Sequence, residues 1–128
     1  MAVNYALNVN VDTTNVAATT HYYPSSTGFE LGGARWFSIS GKLIDVDGTL
    51  TLTVEATNDE DTANADWIQV YGYDDENNST VNSLTVTNGT LTFAESFNNA
   101  NYTHFRVKLV ASGATNTVII KGRSLQES

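Results

Sequence analysis

The sequence holds few residues suited to covalent or metal chemistry. There are two histidines, His21 and His104, and no cysteine. A zinc site would need both histidines to converge with carboxylates, and nothing in their spacing brings them together. Both read as surface or interface side chains. The chain has no G-x-S-x-G elbow, no cysteine for a histidine to activate and no glycine-rich phosphate loop. Carboxylates are plentiful, with 14 Asp and Glu. A glycosidase pair would need one acid desolvated in a cleft and a second roughly 5–10 Å away. Half of the acids lie instead in two loop runs, 58–66 (NDEDTANAD) and 74–78 (DDENN), where water reaches them. Glu55 and Glu95 are the strand-borne exceptions, and Glu55 is expected to face outward beside Ser38. Asp45-Val46-Asp47-Gly48 begins like a calcium-binding EF-hand loop. Ala56 stands where the closing glutamate belongs, however, and the ordinary turn preferences of Asp and Gly account for the run. The expectation is a protein with no catalytic residues, no cofactor and no metal.

The cations are more informative. Six Lys and Arg stand against those 14 acids, for a net charge of −8. Four of the six, Arg106, Lys108, Lys121 and Arg123, read as one face of a final hairpin, with His104 beside them. Like charges directly across a strand pair are destabilising, so such a cluster calls for a counter-charge. That partner is either an acidic loop or Glu95 of the same chain, or an acidic surface on another protein. Trp36, Trp67, Tyr71 and Tyr73 fall on faces outside the expected core. They are either interface anchors or side chains covered by a second sheet. An acidic chain is not built to bind nucleic acid by counterion release, and anionic membranes repel it. No apolar run approaches the ~20 residues of a membrane span. The first residues lack a basic segment ahead of an apolar one, so the mature protein is expected to begin at or near Met1.

Strand periodicity supplies the scaffold for these residues. Trp36–Thr57 (WFSISGKLIDVDGTLTLTVEAT) alternates with a period of two on both sides of the Asp45–Gly48 loop. Read as a hairpin, it sets Leu43 opposite Leu50, Gly41 opposite Leu52, Ile39 opposite Val54 and Phe37 opposite Ala56. Residues 102–111 and 117–125 read as a second hairpin about Gly113–Asn116, with Lys108 on Lys121 and Arg106 on Arg123. Trp67–Tyr73 reads as a strand apolar on both faces, and short strands are expected at 83–87 and 90–93 about Asn88-Gly89. Residues 1–34 are patterned weakly and read as an extended N-terminal arm with one short strand. The arm's aromatic cluster, Tyr22, Tyr23 and Phe29, needs either its own sandwich or a neighbouring subunit to lie on. Residues 35–125 then form one all-β domain, an antiparallel β-sandwich of jelly-roll-like or immunoglobulin-like type, and 126–128 form a frayed tail.

Three stretches carry a resemblance: 37–59 (FSISGKLIDVDGTLTLTVEATND), Trp67-Ile68-Gln69-Val70 and 105–118 (FRVKLVASGATNTV). In order and wording they resemble strands of small virion structural proteins of tailed bacteriophages, including head decoration (cement) proteins. The likeness spans residues 35–123 and leaves out the N-terminal segment; the long acidic loop at 58–66 departs from it. It implies a homotrimer on the capsid surface, holding adjacent major capsid subunits or another virion protein. The contacts would come from Arg106, Lys108, Lys121, Arg123, Trp36, Trp67, Tyr71, Tyr73, Tyr22 and Tyr23, without nucleic acid or membrane. A second reading from another class is a carbohydrate-binding module of a phage tail or fibre, whose exposed Trp and Tyr stack on sugar rings.

Overall fold

The computed structural model describes residues 3–31, 36–74, 79–97 and 102–127, and they form an all-β sandwich. The strands are β1 (Val3–Val16), β2 (Thr20–Tyr23), β3 (Phe29–Glu30), β4 (Trp36–Val46), β5 (Thr49–Thr57) and β6 (Ile68–Val70). They continue as β7 (Gly72–Asp74), β8 (Ser79–Val81), β9 (Leu84–Thr87), β10 (Leu91–Phe97), β11 (His104–Ala111) and β12 (Thr115–Glu127). One sheet has the order β1-β12-β4-β10-β7-β8. The other runs β2-β11-β5-β6, with β3 added on β11 and β9 on β5.

The two expected hairpins do not form, although their alternation is correct. Phe37, Ile39, Leu43, Leu50, Leu52, Val54 and Ala56 are all buried. Yet β4 pairs with β10 and β12, whereas β5 pairs with β11, β6 and β9. The two strands therefore face each other across the core rather than lying side by side. The final pair repeats this, because β11 lies on β5 and β12 lies between β1 and β4. The turn at Asn88-Gly89 likewise carries the chain from β9 in one sheet to β10 in the other. A strand pair folded over an arch buries the same alternate residues as a hairpin, so parity cannot separate the two.

These crossings, together with the one from β1 to β2, distinguish the two sandwich types. An immunoglobulin-like sandwich keeps several consecutive strands as hairpins in one sheet. Here β1/β2, β4/β5, β9/β10 and β11/β12 each divide between sheets, which is jelly-roll connectivity. The crossing turns bond to one another at one end of the sandwich. Val46 N–H donates to Gly89 O (2.8 Å), Asp47 N–H to Ala114 O (2.8 Å), Asn88 N–H to Gly48 O (2.9 Å) and Ala111 N–H to Thr19 O (3.1 Å). The Asp45–Gly48 run thus has a structural use. Asp45 takes a positive φ of 52° that resets the alternation and turns Val46 into the core, and Gly48 follows at 81°.

The N-terminal residues are part of the sandwich and do not stand off it as an arm. β1 runs antiparallel along β12 from Val3↔Glu127 to Val16↔Thr115, and β2 and β3 cover one edge of β11. Val9, Val11, Val16, Phe29 and Leu31 are buried in the common core. Of the two surfaces considered for the segment, it lies on its own sandwich. β1 is legible only in part because Asn and Thr interrupt its apolar positions beyond Val11.

The core has an aromatic end and an aliphatic end. Phe29, Phe37, Phe97 and Phe105 gather at one, with the Phe29 and Phe37 rings 4.9 Å apart and tilted. Leu43, Leu50, Leu52, Leu109, Val118 and Ile120 fill the other. Fully burying each large apolar side chain contributes about 1.5–3 kcal/mol.

Candidate functional site

The four cations read as one patch lie on opposite faces of the molecule. Arg106 and Lys108 point outward from β11 in the β2-β11-β5-β6 sheet, and Lys121 and Arg123 point outward from β12 in the other. Each sheet has six strands, and the first is the smaller by strand length. Because β11 and β12 are joined by an arch, the parity that would stack them in a hairpin instead sends them apart.

On the smaller sheet Arg106 is fully engaged. Its Nε donates to Glu55 Oε1 at 2.8 Å and its Nη1 to Ser26 O at 2.7 Å. Its guanidinium lies between two rings, 4.2 Å from the centre of Tyr22 and 4.3 Å from that of Trp67. Only 13% of each side chain of the Arg106–Glu55 pair is exposed. Gly28 completes the cluster: at φ +71°, a Cβ there would stand 2.9 Å from the Trp67 ring and 2.3 Å from Phe105 O. Tyr22 (β2), Glu55 (β5), Trp67 ahead of β6 and the 25–28 turn are thus clamped to β11. Lys108 lies between Tyr22 and Thr53 in the register, and Tyr23 packs against the core, where burial pushes its pKa up. His104 Nδ1 meets Thr103 Oγ1 at 3.0 Å, and His21 Nε2 meets Ala17 O at 2.9 Å.

The larger sheet differs. Lys121 lies between Ser40 and Asn10, and Arg123 lies across from Ser38. Lys42 is the next outward residue of β4 after Ser40, opposite Ile119 and Thr92. Serine and alanine leave the middle of this face low, while the long cationic side chains rise beside it. A depression of about 330 Å³ is lined by Asn10, Ser38, Ser40, Lys121 and Arg123. A neighbouring one of about 460 Å³ shares Ser40 and Lys121 and extends to Lys42, Thr92 and Ala94. The result is a trough holding three of the chain's six cations. Among the described residues no carboxylate forms an ion pair with any of the three; the ion pair found is that of Arg106 with Glu55. Lys42 was not singled out in the sequence, because only the β4–β12 pairing brings it beside Lys121.

The aromatic anchors also divide. Trp67 is under Arg106, and Trp36 is half-buried opposite Leu125 at the start of β4. Trp67–Tyr73 is not one strand: after β6 the chain leaves the smaller sheet at Tyr71 and joins the larger as β7. Ile68, Tyr71 and Tyr73 remain 50%, 68% and 39% exposed along this crossing, so Ile68 is not the core residue that alternation implies.

The two strand-borne acids have contrasting settings. Glu55 pairs with Arg106, whereas Glu95 points inward from β10, 3% exposed, beside the buried Asp74 of β7. Burial, and then the charge of Asp74, push Glu95 up to about 7. The acidic loop at 58–66 closes on itself, with Asp66 N–H donating to Asp59 Oδ2 at 2.8 Å and Asn64 Nδ2 to Asp61 Oδ2 at 3.0 Å. Of the second acidic run, Asp75–Asn78 lie outside the described residues. Among the described residues no three acidic or histidine side chains gather as metal ligands.

No protein-family model and no curated protein matches the chain. Solved structures do. The SPBc2 prophage-derived protein YomS aligns over 98% of this chain and 94% of its own, with a TM-score of 0.61 and 14% identity. The PBSX exported protein XepA aligns over 98% of this chain with a TM-score of 0.61 and 9% identity. The chain spans 38% of XepA's length. At these identities the likeness is one of fold. The sandwich of this chain has the fold of these two proteins.

Proposed function

We propose that the chain is a non-enzymatic structural protein of a phage-type particle, and specifically a capsid decoration protein that seats on adjacent major capsid subunits. The observation that carries this reading is the exposed run Ile68, Tyr71 and Tyr73, presented where the chain changes sheets. Aromatic side chains of this kind anchor protein interfaces because they bury large area with few rotors to freeze. The fold held in common with the SPBc2 prophage-derived protein YomS supports the same reading. It includes assembly as a homotrimer on the virion surface, which sedimentation measures directly.

Of the contacts expected in the sequence, the dock keeps Tyr71 and Tyr73 and adds Ile68. Arg106 and Trp67 hold the sheet together, so the crossing segment from β6 to β7 takes the role first given to the cation patch. Purified protein should co-sediment with undecorated capsids of its own particle. Replacing Ile68 and Tyr71 by serine should lower the bound copies at least tenfold, as expected for interface anchors. Failure of the unmodified protein to bind those capsids at any concentration would end the reading. The alternative, a sugar-stacking module, loses its best platform because Arg106 covers a face of Trp67.

A further inference from the structure

The trough on the larger sheet has a composition that neither the fold nor the dock at the crossing segment requires. We propose that it binds a single strand of an anionic, hydroxyl-rich polymer, a glycan or polyol chain bearing carboxylate or phosphate groups. The inference does not depend on capsid decoration, since the two surfaces share no residue.

Three features select this class of ligand. The first is charge. Lys42, Lys121 and Arg123 project from one face of a chain whose net charge is −8. By strand parity Asp12, and Asp45 at the end where β4 turns, are the carboxylates on that face among residues whose side chains are described, and neither forms an ion pair there. Beyond roughly 8–10 Å at physiological salt the remaining acids are screened, so a ligand in the trough meets mainly these cations. Like charges left unpaired on neighbouring strand positions are tolerated at a cost that a bound anion would reverse.

The second feature is shape. A globular partner seats on a flat or bulging patch, whereas here the centre of the face is low. Ser38 and Ser40 form the floor of one half and Gly41, Ala94 and Ile119 that of the other, and Lys121, Arg123 and Lys42 stand beside them. A depression of about 330 Å³ opening into one of about 460 Å³ suits a slender chain lying along the sheet.

The third feature is the floor chemistry. Ser38 and Ser40 are across the ladder from Arg123 and Lys121, and Asn10 flanks Lys121 on the other side. Each cation therefore has a hydroxyl neighbour about 5 Å away across the ladder, and the pairs repeat about 6.5 Å along it. Serine and asparagine both donate and accept, which matches alternating hydroxyl and anionic groups better than a row of carboxylates alone. Arg123 can also hold a carboxylate or phosphate through two parallel hydrogen bonds.

The test uses the full chain and four polymers at physiological salt, where the distant acids are screened, read by affinity electrophoresis. They are polygalacturonate, poly(glycerol phosphate), poly-glutamate and neutral dextran. The unmodified protein should be retarded by polygalacturonate or poly(glycerol phosphate), which separates carboxylate from phosphate as the group read, and not by dextran. Lys121→Gln with Arg123→Gln should weaken that binding roughly a hundredfold, about tenfold per cation. Lys108→Gln, on the opposite face, should leave it unchanged. Ser38→Ala with Ser40→Ala should weaken it severalfold at unchanged melting temperature. Several results would overturn the proposal: no retardation by either polymer, equal loss in Lys108→Gln, or full binding by the serine variant. Equally tight binding of poly-glutamate would assign the trough to an acidic protein surface instead.

Discussion

Arg106 and Arg123 occupy equivalent outward positions on consecutive strands, and the fold treats them in opposite ways. Arg106 is held by a carboxylate, a carbonyl and two aromatic rings. Arg123 borders an open trough with serine and asparagine for company. The arch between β11 and β12 makes the difference by placing one strand in each sheet. One outer face therefore commits Arg106 and its aromatics to cohesion, while the other leaves its cations available to a ligand.

The largest expected effect comes from breaking the cohesive side. Arg106→Ala removes a mostly buried ion-pair partner and both ring contacts, leaving Glu55 without its cation. The loss should be about 3 kcal/mol in denaturant unfolding. Arg123→Ala should stay within about 0.5 kcal/mol of the unmodified protein. Comparable losses for the two variants would mean that the contrast between the faces does not exist.

The acids repeat the contrast inside the sandwich. Glu95, pushed up to about 7 by burial beside Asp74, keeps its proton when folded and releases it near 4.5 when unfolded. Between those values the native state binds more protons than the unfolded one, so stability must fall as pH rises. The contribution is fully present below about 4.5 and lost above about 7, with a slope of up to about 1.4 kcal/mol per pH unit between. Glu95→Gln should flatten this slope in unfolding curves from pH 4.5 to 8. An unchanged slope in Glu95→Gln would move the linkage to another group.

The core was legible in the sequence because alternation reports which side chains leave water. Leu43, Leu50, Val107 and Ile120 are buried as the period of two requires. Pairing was not legible. A hairpin and an arch bury identical residues, and only the bonds among the 45–48, 87–90 and 111–114 turns decide between them. The site inherited that ambiguity: a patch inferred from strand adjacency divided once the strands separated. Lys42 was missed for the same reason, since its neighbours Ile119 and Thr92 are distant in sequence. The Arg106 clamp was hidden because Tyr22, Glu55 and Trp67 converge from three separate segments.

The smallest effect tests the open face without any ligand. Lys121 and Arg123 repel one another two residues apart along β12, with Lys42 nearby and no ion pair to offset them among the described residues. Salt should therefore stabilise the protein through this face, by a few tenths of a kcal/mol. Lys121→Gln with Arg123→Gln should gain that amount at low ionic strength and lose part of the salt response in thermal unfolding. Lys108→Gln should show less of either, since Lys108 lies among Tyr22, Thr53 and the Glu55-paired Arg106. The opposite ranking would mean that the trough's cations are neutralised within the chain, and the face could not hold an anionic polymer by charge.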